Sequence, residues 1–404
     1  MRLLVANIGS TSFKFRLFEM PSERLLAKGG AGRIGAAASG WTFAPAGAAP
    51  SEGTSCFSGY GDAIGHFEKL LREAGVLGSF RELVAVGFKP VMAQGISGTQ
   101  VFDDRLLGAM EALYTLFPAH NPPYVNAVRE FQRLYPELPC IGTFETAFFD
   151  HLPRAATRFP VPIEWEKKYD IKRTGFHGAS HRFVTERAAE LRGSKSLRII
   201  SCHLGGSSSI CAVRDGKAID SSWGMTPQSG LPQNNRSGDL DVFAIIHLVR
   251  NIGLDIAEVE KQLGANSGLQ GMSGLNSGDF RDLRAAAESG NEDAASAIEV
   301  FVSSVRGYIG RFLVALNGCD VLVFTAGIGE NNAGLRAAIC RDLDFCGLKL
   351  DEAANAACQA TEAVISAPDS RVEVRVIPTN EELVIARNAW AKLGNTVSTA
   401  NERE

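Results

Sequence analysis

The sequence predicts an α/β fold with two domains, and three observations support this prediction. Segments with strand and helix patterns alternate along the chain, as is typical of α/β proteins. The chain has 404 residues, 45% of them apolar, which is more than one ordinary domain needs and enough for two buried cores. A weak internal repeat between residues 5–12 and 201–208 suggests two related halves that face one cleft.

The N-terminal elements follow from the spacing of apolar residues. Apolar runs predict strands at residues 3–7 and 13–18, and the Gly-, Ala- and Ser-rich residues 29–53 predict a β-meander or a loop. Apolar residues at helical spacing predict helices over 63–73 and 109–117. A short apolar strand is expected between these helices.

The internal repeat consists of two Gly/Ser turns, VANIGSTS and SCHLGGSS, each placed between two apolar runs. The second copy continues to Asp215-Gly216, a pair that predicts a hairpin when extended segments flank it. Such turns also recur by chance in α/β proteins. The repeat therefore has two interpretations, duplicated halves or coincidence.

Composition excludes several classes of protein. The net charge of -4 lacks the basic excess that a nucleic-acid surface requires. No apolar run approaches the ~20 residues of a membrane span, and the opening apolar run is too short for a signal peptide. The eight cysteines are scattered without a C-x-x-C pair, which favours reduced core residues and a cytoplasmic protein.

Three Gly-rich segments could bind phosphate through clustered backbone N–H groups. They are residues 9–12, 205–208 and 327–331. None matches a Walker loop or a G-x-G-x-x-G turn, so each is a weak signal by itself.

Two histidines lie four residues apart, at His177 and His181, beside small residues. The pair lacks the glutamate and the third ligand of a common zinc motif, so a phosphate contact fits His177 better than a metal. For His181 we favour a histidine at the start of a helix with backbone partners.

Arg236 lies in a polar, irregular segment, and its planar guanidinium matches a carboxylate or a phosphoryl group. Glu381 and Glu382 open a predicted helix. They could bind a ligand, but carboxylates at a helix N-terminus also simply favour the helix dipole.

Taken together, these segments resemble acetate kinases, of the sugar kinase, Hsp70 and actin superfamily. The similar segments follow in the family's order over nearly the whole chain: 7–15, 175–181, 202–206, 236–239, 279–281, 324–331 and 377–383. The resemblance implies a duplicated ribonuclease H-like (actin-like ATPase) fold with a central interdomain cleft. It implies an N-terminal domain of residues 1–148 plus 382–404 and a nucleotide-binding domain of residues 149–381.

The resemblance also implies a function: reversible Mg²⁺-dependent phosphoryl transfer from ATP to acetate or another short-chain carboxylate, which gives an acyl phosphate and ADP. Mn²⁺ is an alternative metal, and a cytoplasmic homodimer is expected. The implied catalytic residues are Lys89, Glu145, His177 and Arg236, and the implied metal ligands are Asn7 and Glu381. The implied nucleotide contacts are Lys14, His203, Leu204, Gly205, Gly206, Ser207, Asp279, Phe280, Arg281, Gly327, Ile328, Gly329, Glu330 and Asn331. The implied substrate contacts are Lys89, Val91, Ala119, His120, Phe176 and Pro227, of which Phe176 and Pro227 fit equally well as packing residues.

The sequence departs from the family pattern at two charged positions. Lys89 stands where the family has an arginine, so a bidentate contact becomes a point charge. Glu145 stands where the family has an aspartate, one methylene shorter. Because the two changes in reach are opposite, we hypothesise that Lys89 and Glu145 form a repositioned pair.

A third departure concerns the acid. Ala119 replaces the family's leucine, which leaves room for propionate or a longer acid. Two alternatives to an acetate kinase therefore stay open: a kinase for another acid on the same scaffold, and a catalytically weak nucleotide-binding protein with a regulatory role.

Overall fold

The structure is a computed structural model that describes the backbone of residues 1–401 and the side chains of residues 1–394. The chain divides into two compact units. The first comprises Met1–Asp150 and the residues from Asn380 onwards, and the second comprises His151–Thr379. The boundaries expected from the sequence, after residues 148 and 381, differ from these by two residues each, and residues 402–404 of the expected first domain lie outside the described chain. Glu381 falls in the first unit.

The first unit is a mixed sheet with strand order β5-β4-β3-β2-β1-β6-β8-β7. Its strands are β1 (Arg2–Gly9), β2 (Ser12–Glu19), β3 (Arg24–Gly32), β4 (Ser39–Pro45), β5 (Ser51–Ser55), β6 (Leu83–Phe88), β7 (Thr99–Val101) and β8 (Cys140–Thr143). Its helices are α1 (Tyr60–Glu73), α2 (Asp104–Glu111), α3 (Asn121–Leu134) and, at the end of the chain, α15 (Glu381–Asn401).

The strands of the first unit follow from alternation of apolar and polar residues. On β2, Phe13, Phe15 and Leu17 are buried in the core while Lys14 is exposed, as a period of two requires. Residues 29–53 form the antiparallel meander β3–β5, so the meander prediction is confirmed against the loop.

The helix predicted over 109–117 was misplaced. The Asp103 side chain caps α2 by accepting a hydrogen bond from Leu106 N at 2.7 Å, so the helix begins earlier, and it ends at Glu111. The apolar spacing of residues 112–117 belongs to turns that precede α3.

The second unit is a mixed sheet with strand order β11-β10-β9-β12-β14-β13. Its strands are β9 (Arg198–Leu204), β10 (Ser208–Arg214), β11 (Lys217–Ser221), β12 (Val321–Thr325), β13 (Ala363–Val364) and β14 (Glu373–Val376). Its helices are α4 (Arg154–Thr157), α5 (Ile163–Tyr169), α6 (Gly178–Arg192), α7 (Val242–His247), α8 (Ile256–Ala265), α9 (Gly268–Ser273), α10 (Phe280–Glu288), α11 (Glu292–Leu316), α12 (Ala326–Asn331), α13 (Ala333–Cys340) and α14 (Glu352–Ala357). Among the described residues, none of these helices or those of the first unit has the length and apolarity that crossing a membrane requires.

The two sheets share one topology. The order β3-β2-β1-β6-β8 corresponds to β11-β10-β9-β12-β14. In both, the central strand is antiparallel to the hairpin partner that follows it and parallel to its other neighbour. The shared order favours duplication over coincidence as the origin of the internal repeat. The predicted hairpin is also present, with Asp215 and Gly216 at φ of 52° and 76° between β10 and β11.

Candidate active site

In the first unit, three candidate residues lie at the carboxyl ends of neighbouring parallel strands. Asn7 is near the end of β1, Lys89 follows β6, and Glu145 follows β8. The carboxyl edge of such a sheet is where α/β proteins generally bind ligands. Glu381, the first residue of α15, joins this group.

Lys89 contacts both acidic candidates of the first unit. Its Nζ lies 2.6 Å from Glu145 Oε1 and 2.5 Å from Glu381 Oε2. The three side chains are only 16%, 8% and 15% exposed. Burial alone would lower the pKa of the Lys89 ammonium, but the charges of Glu145 and Glu381 hold that pKa well above its ordinary value. The expected pairing of Lys89 with Glu145 is therefore present, and Glu381 is a second partner that the sequence did not indicate.

Asn7 is hydrogen-bonded to Tyr124, a residue that sequence analysis missed. The Tyr124 hydroxyl donates to Asn7 Oδ1 at 3.5 Å and accepts from the backbone N–H of Ile8 at 3.5 Å. Tyr124 is 3% exposed, and burial raises the pKa of its hydroxyl, so the group stays a neutral donor.

The acidic and amide oxygens here fit Mg²⁺ in chemistry, because Mg²⁺ prefers hard oxygen donors. Within the part of the chain that the structure describes, no group of three or more His, Cys, Asp or Glu side chains is arranged to hold a metal. That number is not needed, since Mg²⁺ in nucleotide enzymes is commonly held by one or two carboxylates plus substrate phosphates. Asn7 and Glu381 therefore fit a magnesium ion that a nucleotide helps to bind.

The remaining candidates of the first unit differ in exposure. Lys14 projects from β2 into a cavity of about 970 Å³ that Asn7 also lines. Val91 is buried, whereas Ala119 is exposed and His120 is half-buried just before α3.

In the second unit, His177, His181 and His203 form a cluster bridged by serine hydroxyls. Ser209 Oγ lies 2.9 Å from His177 Nδ1 and 2.8 Å from His181 Nε2. The rings of His177 and His203 stack with centroids 4.0 Å apart, and His203 Nδ1 lies 2.8 Å from Ser180 Oγ. The Ser209 hydroxyl and the stacked His203 ring thus orient His177, which is the N-cap of α6 and only half-buried.

His181 is a structural member of this cluster. It is fully buried, and its Nδ1 lies 2.8 Å from Ser201 Oγ. Its ring partners are thus two serine side chains, where the sequence favoured backbone groups. Burial lowers the pKa of His181 well below its ordinary value, so the ring is neutral.

Arg236 is held over the Gly205–Ser208 turn by neutral oxygens. Its Nη1 donates to Pro227 O at 3.0 Å and approaches Ser207 Oγ at 3.5 Å. Among the described residues, no carboxylate forms an ion pair with it. Burial lowers its pKa from the ordinary value without removing the charge, since arginine stays protonated near neutrality.

Gln233 connects the two segments and was missed by sequence analysis. It is 1% exposed; its Nε2 donates to Pro227 O at 2.8 Å, and its Oε1 accepts from Ser207 Oγ at 2.6 Å. Pro227 therefore acts through its carbonyl, as an anchor for Arg236 and Gln233. The only sequence signal for the role of Gln233 is its position beside a loop of prolines and glycines.

The predicted nucleotide turn at 205–208 lies between β9 and β10, as expected. Leu204 is buried at the end of β9, and Gly205 O accepts from Ser208 Oγ at 2.9 Å. Gly206 O accepts from Asn234 N at 3.1 Å, which ties the turn to the Arg236 segment.

Residues 279–281 begin α10. Asp279 caps the helix and forms a two-point contact with Arg281, at 2.9 and 2.7 Å, and this contact lowers the pKa of Asp279 to about 2. Phe280 is 5% exposed and packs against Phe301, so its side chain belongs to the core.

The segment containing Gly327, Ile328, Gly329, Glu330 and Asn331 was expected to be a turn, but it forms the short helix α12 after β12. Glu330 Oε1 accepts from Ala326 N at 2.7 Å, which lets the chain turn directly from strand to helix at Ala326, with φ of 65°.

Arg336 holds α12 in place and was missed by sequence analysis. It is fully buried and donates to the carbonyl oxygens of Gly329 and Glu330 at 2.9 and 3.0 Å. Its other nitrogens donate to Asn355 Oδ1, Asn355 O and Cys358 O. Nothing in the local sequence separates it from a surface arginine of a helix.

Phe176 packs against Trp223, with ring centroids 5.1 Å apart, and both side chains are almost fully buried. Trp223 also meets the ring of His177 edge-on at 5.0 Å. Phe176 therefore acts at least as a packing residue that supports His177.

The chain is similar over almost its whole length to known phosphotransferases. The model of the acetokinase family matches residues 2–387. The acetate kinase of Carboxydothermus hydrogenoformans is 41% identical over 392 residues, which cover 96% of this chain and 98% of that protein.

Solved structures agree. The acetate kinase of Porphyromonas gingivalis matches with a TM-score of 0.88 at 35% identity, over 96% of this chain and 99% of that one. A propionate kinase from Francisella tularensis matches with a TM-score of 0.87 at 33% identity, over 96% and 98% of the two chains. The chain therefore belongs to the acetokinase family, which comprises phosphotransferases with a carboxylate acceptor, and it has the family's duplicated α/β fold of the actin-like ATPase type.

Proposed function

We propose that this protein catalyses reversible transfer of the terminal phosphoryl group of ATP to acetate, with Mg²⁺ as the metal, to give acetyl phosphate and ADP. Membership of the acetokinase family supports the reaction class. The choice of acetate rests on the similarity to acetate kinases, and the choice of Mg²⁺ rests on the oxygen donors of Asn7 and Glu381.

The observation that carries the proposal is the environment of Arg236. This half-buried guanidinium contacts neutral oxygens and, among the residues that the structure describes, no carboxylate, so it has given up water without gaining an anion. A phosphoryl group above the Ser207 turn would supply that anion. Because phosphoryl transfer depends mainly on positioning and on cations near the equatorial oxygens, Arg236 is suited to stabilise the transferring group.

His177 is proposed as a hydrogen-bond donor to the same phosphoryl group. Ser209 Oγ lies 2.9 Å from one ring nitrogen and the ring of His203 stacks on that of His177, so the half-buried ring is held in one orientation for this contact. The residues 203–207, 279–281 and 327–331 are proposed to surround the nucleotide, with Gly206 and Gly327 contributing backbone rather than side-chain contacts.

The first unit is proposed to supply the metal and carboxylate contacts. Asn7 and Glu381 would hold Mg²⁺, which offsets the negative charge of the phosphates when it is bound. Lys89 has three N–H donors and uses two on Glu145 and Glu381, so the third can meet the acid's carboxylate. Lys14 would contact a nucleotide phosphate.

Propionate or a longer acid is a second candidate substrate, and the small side chain of Ala119 favours it. A methyl side chain at this position leaves more room than the leucine of the family pattern. Discrimination of one methylene is worth only about 1–3 kcal/mol, so a mixed acid preference is compatible with the same site.

The test is to trap acyl phosphate with hydroxylamine for unbranched acids of two to five carbons, with ATP and Mg²⁺. We expect product with acetate, and a fall of roughly 10²–10³-fold in rate for Arg236→Gln, the size of effect seen when one transition-state donor is removed. Arg214→Gln is the matched control, because Arg214 is exposed and its side chain donates to the backbone oxygen of Ala315, away from the Ser207 turn. ATP binding without acyl phosphate from any of these acids would reject the proposal in favour of a regulatory nucleotide-binding protein.

We further propose a cytoplasmic homodimer. All eight cysteines are free in the described residues, which supports a reducing compartment. Exposed apolar side chains of the second unit, Val242, Phe243, Ile252 and Ile256, support self-association. Sedimentation of the wild type against Phe243→Asp tests it, and a monomeric wild type would exclude the dimer.

A further inference from the structure

We propose that the Lys89 ammonium occupies the Glu381 carboxylate of the metal site and releases it only when Mg²⁺ binds together with a nucleotide. This inference rests on the proposed function and concerns the order in which the site fills. It assigns Lys89 a positioning and gating role in addition to its contact with the acid.

The distances carry the argument. Lys89 Nζ lies 2.5 Å from Glu381 Oε2, the group proposed to bind the metal, and 2.6 Å from Glu145 Oε1. Mg²⁺ binds a carboxylate oxygen at about 2.0–2.1 Å, so an ion on the same oxygen would lie no farther than about 4.6 Å from the ammonium. Two cations at that separation repel strongly in a buried site. The contact with Lys89 must therefore lengthen when the metal binds at Glu381 Oε2.

The chemistry of lysine makes this exchange feasible. An ammonium is a compact point charge on a flexible four-carbon stem, whereas a guanidinium spreads its charge over a rigid fork. Lys89 can keep one N–H on Glu145 and turn another toward the acid after it leaves Glu381. Glu145 then keeps its contact with the Lys89 ammonium, and its side chain, one methylene longer than that of aspartate, is long enough to do so.

The energetic consequence is that the metal binds together with the nucleotide rather than before it. Without nucleotide, a divalent ion has to displace the ammonium using the oxygens of the protein alone. With nucleotide, the phosphates add ligands and charge that offset the loss of the Lys89–Glu381 contact. Metal binding to the free protein is therefore expected to be weak, and binding of the metal–nucleotide complex strong.

The first test measures Mn²⁺ binding to the nucleotide-free protein by electron paramagnetic resonance. We expect Lys89→Met to bind Mn²⁺ at least tenfold more tightly than the wild type, because the ion no longer has to displace the Lys89 ammonium from Glu381. Lys349→Met is the matched control, since Lys349 pairs with Asp369 at the surface, and it should bind as the wild type does. The gain in Mn²⁺ affinity should vanish in the double variant that carries both Lys89→Met and Glu381→Gln. A gain below tenfold, or one that survives the second substitution, would overturn the inference.

The second test uses the wild type, so it does not depend on the folding of Lys89→Met. In protein labelled with ¹⁵N-lysine, the Nζ resonance of Lys89 is identified by its loss in Lys89→Arg. Saturating Mg²⁺ with ADP should shift this resonance, while Mg²⁺ alone at the same concentration should leave it unchanged. A resonance that is insensitive to Mg²⁺ with ADP, or one that shifts equally with Mg²⁺ alone, would overturn the inference.

The two proposals can fail separately. If the wild type forms acetyl phosphate but fails either test above, only the gating role of Lys89 is rejected. If no acid yields acyl phosphate, the proposed function is rejected whatever the Mn²⁺ affinities are.

Discussion

Replacing Gly268 by alanine should damage catalysis through the segment that carries Arg236. Gly268 begins α9 with φ of 64°, and a Cβ at this position would lie 2.1 Å from Gln233 O and 2.5 Å from Arg236 O. Real Cβ atoms do not approach within 3.0 Å of such atoms, so the segment has to move by about 0.9 Å. A misplacement of about 1 Å in a positioned group can cost roughly 10²-fold in rate.

Gly253 provides the matched control. It also has a positive φ, 82°, but a Cβ there would meet nothing within 4 Å. Alanine at either position costs roughly 1–2 kcal/mol of folding free energy from the left-handed backbone alone. Gly253→Ala should therefore lose that stability and keep its rate, whereas Gly268→Ala should lose at least as much stability and also about 10²-fold in rate.

The assay pairs initial rates of acyl phosphate formation at saturating ATP with urea unfolding followed by far-UV circular dichroism. The rates are compared at a temperature where both variants are folded. If Gly268→Ala were as active as Gly253→Ala, the position of the Arg236 segment would not limit the reaction, and the role assigned to Arg236 would be wrong.

Three further predictions concern the folding stability of the protein and its binding of Mg²⁺·ADP. Arg336→Lys should lower the free energy of unfolding by about 3 kcal/mol, because an ammonium cannot replace the hydrogen bonds of the buried guanidinium. The control Arg284→Lys, at an exposed position, should change that free energy by less than about 0.5 kcal/mol. Equal urea midpoints for the two variants would contradict this prediction. Although burial alone would raise the pKa of Glu68, hydrogen bonds from Phe80 N, Tyr135 and Ser79 hold it below its ordinary value. The stability that ionised Glu68 contributes is thus present above pH ~4.5 and lost as the pH falls. Glu68→Gln should therefore be roughly 1 kcal/mol less stable than the wild type at pH 7, and this difference in unfolding free energy should be smaller at pH 3.5. A difference that grows in acid would refute the direction of the pKa shift. Tyr124→Phe should weaken Mg²⁺·ADP binding severalfold by freeing Asn7, as measured by calorimetry, and an unchanged affinity would remove Tyr124 from the site.

Much of the fold could be predicted because its signals are local. The alternation of Phe13, Lys14 and Phe15 follows from the two-residue period of a strand, and the Asp215-Gly216 hairpin follows from the positive φ that its turn needs. The helix at 109–117 was misplaced for the same reason. Its apolar spacing was real, but the cap at Asp103 set the start of the helix, and capping was not weighed there.

The candidate site was predictable only where residues belong to a motif. His177, Arg236 and Glu381 stand in segments with a recognisable order, whereas Gln233, Tyr124 and Arg336 do not. Arg336 shows the difficulty most clearly. Its five hydrogen bonds reach carbonyl and amide oxygens on α12, on α14 and at Cys358 just after α14, and such partners depend on how the helices pack, which local periodicity does not encode.

The replacement of arginine by Lys89 shows why single positions should be judged with their partners. By itself, the loss of a bidentate fork suggested a weakened clamp on the acid. In the structure Lys89 bridges Glu145 and Glu381, residues 56 and 292 positions away along the chain. A compact ammonium on a flexible stem can be shared between two carboxylates, and it can leave one of them for a metal–nucleotide complex more readily than a rigid guanidinium can.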